Sequence, residues 1–317
     1  MDNDTKDNKC KECGLRFEDL RSLHRHFGRH RMLVVDYYHK YFPRRDLLTG
    51  ELIKYKARDQ YFTDDFTTRT NLKKWLEQQP LDDARGYCKG LLAKRKTEKD
   101  IKYTPCQVEL KSLLVPAIPY YNNLFGDYYA LCKELGFENK YSFLSSIPEN
   151  LSMEGAGYEI LVDTREQRPL TFKDTKTTLC KLDYGDYRFI DDKKTCNCVI
   201  ERKSLSDFIN TISSYYDRFM SEIELSIKEE SNLIILVEEK IQNAFGFKYL
   251  PYISKKIKAT PEFVFYRVRV LIQKYPQIQF LFVDGRQEAS RVVKKIFASD
   301  CAYKQIDLQL AYENKIL

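Results

Sequence analysis

The chain has 317 residues, with 53 Lys and Arg against 46 Asp and Glu and a formal net charge of +7. That length accommodates two or three domains, and the lack of an apolar run of membrane-spanning length argues against a membrane protein. Of nine cysteines, the seven from Cys88 onward lack a regular framework and stand behind no signal peptide, which points to reduced thiols in an intracellular protein of the cytoplasm or nucleus.

Cys10 and Cys13, twelve residues, then His26 and His30 have the two-Cys-two-His spacing of a structural zinc site. Phe17 and Leu23 stand where such a finger keeps its small apolar core. A segment this short cannot fold on burial alone, so Zn2+ supplies the missing stability and a ββα finger is expected over 1–34. His24 is spare and is read as a surface residue. A finger of this kind can place its helix in the DNA major groove, and can also bind protein. Asp36-Tyr37-Tyr38-His39-Lys40-Tyr41-Phe42 resembles the segment that follows fingers in phage and intron-encoded nucleases.

Residues 35–150 read as a mainly α-helical, basic DNA-binding region. Leu72, Trp75 and Leu76 have helical spacing, and a helix start is expected near Pro105. Between Arg69 and Lys111, eleven Lys or Arg face six acids. Lys73, Lys74, Lys94, Arg95 and Lys96 are the candidate phosphate contacts, with a solvated helix face as the alternative. Thr104-Pro105-Cys106-Gln107, Pro116, Phe125-Gly126-Asp127-Tyr128 and Gly136 are similar to a small helical repeat of homing endonucleases. Physically this is a helix pair with an aromatic core, able to lay one helix in a groove or to serve as a structural linker.

Residues 158–222 concentrate acids and bases in an order suited to phosphodiester cleavage. The run 158–166 ends in Asp163-Thr164-Arg165-Glu166, and Gly185-Asp186 follows an alternating stretch from Leu179 that reads as a strand. Val199, Glu201 and Lys203 share one face of the next strand. Residues 191–194 read as the hairpin turn, so that Asp186 meets Glu201 across it. A hard cation, Mg2+ or Mn2+, takes carboxylate oxygens, here Asp163, Asp186 and Glu201. A lysine beside them, Lys203, orients water or offsets charge. All four histidines lie within the first 39 residues, which argues against histidine-dependent cleavage in this region. Cys196-x-Cys198 is too close for a common zinc motif. Apolar runs 232–238 and 279–285 read as buried strands. Phe263, Arg267, Val270 and Leu271, and later Ala289, Val292, Val293 and Ile296, have helical spacing, which gives an α/β domain.

On Gly185-Asp186, Glu201-Arg202-Lys203 and Asp207, with Val162-Asp163-Thr164-Arg165-Glu166 upstream and Arg218 before Phe219 downstream, residues 158 to about 300 resemble the XPF-type nuclease domain. The resemblance implies an α/β, restriction-endonuclease-like domain over 151–300, leaving 301–317 as a C-terminal tail. It implies functional roles for Asp163, Arg165, Glu166, Asp186, Glu201, Arg202, Lys203, Asp207 and Arg218. Two departures stand out: Glu222 occupies a position where the family often has glutamine, and no paired helix-hairpin-helix motifs follow before Leu317. Those motifs serve dimerisation and branched-DNA recognition in the family; a homodimer is left open.

The expectation is a Mg2+-dependent DNA endonuclease targeted by N-terminal modules. The leading reading is a sequence-selective, homing or mobile-element type, of cellular or viral origin. The alternatives are a structure-selective enzyme for flaps, forks or recombination intermediates, and a non-catalytic DNA-binding protein.

Overall fold

The structure is a computed structural model that describes residues 8–63, 69–142, 158–191, 197–299 and 302–317. The chain divides into two compact units, Met1–Lys99 with Leu114–Pro116, and Asp100–Leu113 with Ala117–Leu317. The division therefore falls at Lys99 rather than at residue 150.

In the first unit, Lys9 and Arg16 form a single antiparallel bridge. Helix α1 (Leu20–His26) starts on Asp19, whose Oδ1 accepts the Ser22 N–H at 2.7 Å. A 3-10 turn, Phe27–His30, carries the chain into α2 (Val34–Tyr41). The core of this module runs past residue 34: Cys10, Leu23 and Phe27 pack with Tyr37, Tyr38 and Tyr61. The Phe27 and Tyr37 rings stack at 3.8 Å, and Tyr38 stacks on Tyr55 at 4.4 Å. His24 is not a surface residue. It is half-buried, with Nε2 3.1 Å from the Tyr38 hydroxyl and its ring against Phe27. Next come α3 (Arg58–Thr63), α4 (Arg69–Glu77), which buries Leu72 and Leu76, and α5 (Leu81–Lys99).

The second unit opens with α6 (Gln107–Lys111), α7 (Ile118–Phe125) and α8 (Tyr128–Glu134). The last two enclose an aromatic core of Tyr121 and Tyr128. Six strands follow: β1 (Tyr158–Asp163), β2 (Lys176–Cys180), β3 (Tyr187–Asp191), β4 (Cys198–Lys203), β5 (Asn232–Val237) and β6 (Ile278–Phe282). They form one mixed sheet in the order β2-β1-β3-β4-β5-β6. β3 pairs antiparallel with β1 and β4, and the other pairs are parallel. Helices α9 (Leu205–Ser213) and α10 (Tyr216–Lys228) lie between β4 and β5 in sequence. Then α11 (Ile241–Phe245) and α12 (Pro261–Lys274) precede β6, and α13 (Gly285–Ala298) and α14 (Leu308–Glu313) follow it. β5 and β6 are buried almost throughout, as parallel strands covered on both faces must be. The expected hairpin pairs β3 with β4, Tyr187 opposite Ile200; its turn, together with Cys196, lies outside the described residues.

Three expectations are corrected. Residues 181–186 are irregular rather than strand, because β2 and β3 flank β1 on opposite sides and the chain must cross between them. In α12 the buried stripe is Val264, Phe265, Val268, Leu271 and Ile272, while Phe263 and Val270 face outward. The segment after residue 301 is no loose tail: Tyr303, Ile306, Leu308, Ala311 and Leu317 belong to the sheet's core.

The helical repeat is docked in this unit by buried polar pairs. The Gln107 N–H donates to Asp307 Oδ2 at 2.5 Å, Gln107 Nε2 donates to Glu313 at 2.7 Å, and Lys111 pairs with Glu313 at 2.6 Å. The carboxylate of Glu109, fully buried, caps the Cys106 N–H and accepts from Gln273 Nε2. Buried polar groups matched in this way fix one register of packing.

Candidate active site and Cys/His cluster

Glu201 and Lys203 occupy alternate positions at the end of β4, and the Lys203 ammonium donates to Glu201 Oε1. Asp186, just before β3, is fixed by its backbone. Its N–H donates to Ile200 O at 2.9 Å, its carbonyl accepts from the Asp163 N–H at 2.9 Å, and its Oδ2 accepts the Arg202 N–H at 2.7 Å. The crossing to β3 requires Gly185, whose φ is +73°; a Cβ there would lie 2.1 Å from Val199 Cγ1.

Asp163 is 1% exposed and its carboxylate is fully engaged. It accepts Arg165 Nε and Nη2 at 2.8 and 2.9 Å, the Arg165 N–H at 2.7 Å and the Leu182 N–H at 2.8 Å. The Arg165 guanidinium is the main reason that its carboxyl is held down at about 2. Asp163 thus ties β1 to the 181–186 crossing and aims Arg165 at the site.

Arg202 lies between two acids, pairing with Glu166 at 3.0 Å and with Glu238 at 2.9 Å. Burial disfavours its charge, but the two carboxylates prevail and raise its pKa above the usual value. Asp207 caps α9 reciprocally with Ser204: Ser204 Oγ donates to Asp207 Oδ2 at 2.6 Å and accepts the Asp207 N–H at 3.2 Å. Arg218 is largely exposed and sits 3.6 Å from Glu222. Burial, then Glu201, raises the carboxyl of Glu222.

These groups line a cavity of about 950 Å³ that brings together Arg165, Glu166, Asp186, Glu201, Arg202, Lys203 and Asp207. Asp163 is not in its wall, and Arg218 lines a smaller neighbouring cavity of about 210 Å³ with Glu201, Lys203 and Glu222. Glu238, Arg168 and Arg286 also line the main cavity and were missed in the sequence. Glu238 had a signal, being the acid that directly follows an apolar strand; the two arginines had none.

Asp186 and Glu201 offer hard oxygen donors to the cavity, and burial, with Glu201 second, pushes the Asp186 carboxyl up to about 8. Shared coordination of a divalent cation by these two side chains offsets that repulsion, so the donor set fits Mg2+ or Mn2+. Asp163, the third expected ligand, accepts four hydrogen bonds from Arg165 and Leu182 in this structure.

In the first unit, the ligand atoms of Cys10, Cys13, His26 and His30 lie within 4.8 Å of one another, the one such cluster of three or more His, Cys, Asp or Glu among the described residues. Cys10 Sγ is 3.6 Å from His30 Nε2, Cys13 Sγ is 3.2 Å from His26 Nε2, and the two Nε2 atoms are 3.0 Å apart. Ligands around a tetrahedral zinc, at about 2.0–2.3 Å from the metal, stand about 3.3–3.8 Å apart. These separations lie within a few tenths of an ångström of that range, and two thiols with two imidazoles are a donor set that suits zinc.

The basic candidates lie on two helices, α4 and α5. Lys73 pairs with Glu77 at 3.6 Å, and Lys74 is exposed beside it on α4. The Lys94 ammonium donates to Leu47 O and Leu48 O at 3.0 and 2.8 Å. Arg95 and Lys96 are half-buried, and three consecutive helical residues point in three directions.

Residues 162–296 match the ERCC4 domain, an XPF-type nuclease domain; the match does not extend to the Cys/His cluster or to the helical repeat. No curated protein sequence matches the chain. Among solved structures, the chain is similar to XPF from Aeropyrum pernix, with 17% identity over 44% of this chain and 59% of that one and a TM-score of 0.34. It is also similar to XPF from Aeropyrum pernix in complex with DNA, with 16% identity over 46% of this chain and 65% of that one and a TM-score of 0.32. The chain thus spans less than two thirds of either. No helix among the described residues is long and apolar enough to cross a membrane.

Proposed function

We propose that this chain is a divalent-metal-dependent DNA endonuclease that cuts at Asp186, Glu201 and Lys203. The observation that carries this reading is the meeting of two carboxylates and a lysine in one cavity, within a segment that matches an XPF-type nuclease domain. Asp186 and Glu201 would hold Mg2+ or Mn2+, which supplies charge neutralisation at phosphate and a nucleophilic water. Lys203, held by Glu201, offsets charge developing on the phosphate. Arg165 faces the same cavity and takes a phosphate oxygen, while Arg202, spent on Glu166 and Glu238, keeps the strand ends in register.

Zinc on Cys10, Cys13, His26 and His30 holds α1 as the groove-entering element, with Arg21 and Arg25 exposed along it. Lys73, Lys74, Arg95 and Lys96 add salt-dependent affinity. The finger supports sequence-selective cutting of the homing or mobile-element type. One observation favours the structure-selective reading instead: α6, the first helix of the repeat, is buried along nearly its whole length and is not free to enter a groove.

The full chain, with Mg2+, is given random-sequence linear duplex, duplex carrying a selected target, flaps and forks. Asp186→Asn, Glu201→Gln and Lys203→Ala are each expected to abolish cutting while DNA affinity stays within a few-fold. Single-turnover cutting retained by Glu201→Gln refutes the assignment. A strong preference for forks over every duplex moves the substrate to the structure-selective class.

A further inference from the structure

The metal cavity does not end at its carboxylates. The smaller cavity beside it shares Glu201, Lys203 and Asp207 as walls, and through Asn210 it adjoins a third cavity of about 670 Å³. The walls of this third cavity combine cations, hydroxyls and apolar surface from Ile257, Ala259 and Phe263. Lys256 and Lys258 are exposed with no ion pair among the described residues, hydroxyls come from the α9 serines and Ser254, and no acid lines it. Phe263, on the first turn of α12, is 42% exposed at its edge. The outward turn of Phe263, which helical periodicity alone assigns to the core, thus has a place in this groove.

We propose that the third cavity is a backbone-binding subsite for a single DNA strand leaving the metal site. Asn210 and the serines meet phosphate oxygens, Lys256 and Lys258 neutralise two phosphates, and Phe263 stacks on a base. Lysines spaced along a groove track an anionic backbone, and an exposed ring beside them engages an unpaired base but not one enclosed in a duplex. At the opposite end, Arg168 and Arg286 line the main cavity, so a strand would run from arginines, past the metal site, to lysines. The direction of this path rests on the nuclease reading; the subsite itself does not.

The test uses the full chain and a fluorescent oligothymidylate without added divalent metal, with binding followed against salt. On single strands each phosphate contact contributes about 0.7 to the slope of log affinity against log salt. Lys256→Ala with Lys258→Ala is therefore expected to reduce the slope by about 1.4, and Phe263→Ala to weaken binding by about 5- to 150-fold with little change of slope. An unchanged slope in the lysine pair overturns the subsite. So does an equal loss of slope on blunt duplex, which would place the lysines on double-stranded DNA. Cutting by the wild-type chain is scored separately. A chain that cuts but keeps its slope refutes the subsite alone, and a chain that loses slope but never cuts refutes the nuclease reading alone.

Discussion

Asp163→Asn separates a positioning carboxylate from a metal ligand. The substitution keeps the shape but removes the charge that binds the Arg165 guanidinium, and its amide cannot accept all four donors now converging there. A carboxyl lowered from its ordinary 3.8 to about 2 is stabilised in its charged form by about 2.4 kcal/mol, at 1.36 kcal/mol per tenfold. Because the Arg165 side chain is 58% exposed, solvent screening reduces the expected loss to about 1–2 kcal/mol. The sign follows from linkage: this carboxyl is more acidic folded than unfolded, so its contribution is complete above pH 3.8 and disappears as pH falls through about 2. The difference in stability between wild type and variant should accordingly be constant at neutral pH and shrink in that acid window. Urea denaturation followed by far-UV circular dichroism measures it, while the fluorescence of Trp75, the single tryptophan, reports separately on the first unit. Calorimetric Mn2+ affinity at the second unit should change by no more than a few-fold. A variant as stable as wild type that has lost its Mn2+ affinity would refute the reasoning and restore Asp163 as a ligand.

Gly185→Ala forces a side chain into a left-handed backbone and against Val199, at a combined cost of about 2–5 kcal/mol; a midpoint unchanged in urea would show that the crossing can relax. Cys13→Ala, or chelation, should release one zinc per chain and expose amides through residue 62, since Cys10 and Phe27 share a core with Tyr37, Tyr38 and Tyr61. Exchange confined to residues 10–30, or no zinc in the purified protein, would contradict that coupling. A fragment from residue 151 should fail to fold cooperatively, whereas one from residue 100 should fold, because the former leaves Asp307 and Gln273 without their partners on α6; native-like dispersion in an NMR spectrum of the shorter fragment would refute this.

The candidate site was legible where its geometry is local. Asp186 directly precedes β3, whose Tyr187 pairs with Ile200 beside Glu201, and the parity of Glu201 and Lys203 follows from strand alternation. Asp163 shows where legibility stops: its type and position suit a ligand, and its engagement by Arg165 and by the Leu182 N–H that the crossing delivers is seen only in the structure. Asp207 reads as an acid in a motif, and the structure adds that it forms half of a helix cap at the cavity wall. Periodicity gave the presence of α12 but not its facing, since Phe263 and Val264 are both apolar and only the sheet decides which is covered. The spacing of Cys10, Cys13, His26 and His30 foretold their convergence, but nothing in it foretold that Tyr37, Tyr38 and Tyr61 close the same core. The docking of the repeat depends on partners some 200 positions away, such as Gln107 with Asp307 and Glu313, and no local pattern encodes such a pairing.

That same docking sets a timetable for synthesis. Gln107 is made some 200 residues before Asp307 and Glu313, yet α6 is satisfied only when all three are present. Contacts of such separation slow folding, because the intervening chain must be ordered before they repay its entropy. During translation, α6 to α8 and the first strands would therefore emerge with their buried polar groups unmatched, and the second unit could close only after α14 has left the ribosome. A pause or truncation before Asp307 and Glu313 should strand the chain in an open, protease-sensitive form. The assembled candidate site then depends on α14 having been made, so that a product ending before it would carry the site's acids and lysine without the frame that positions them.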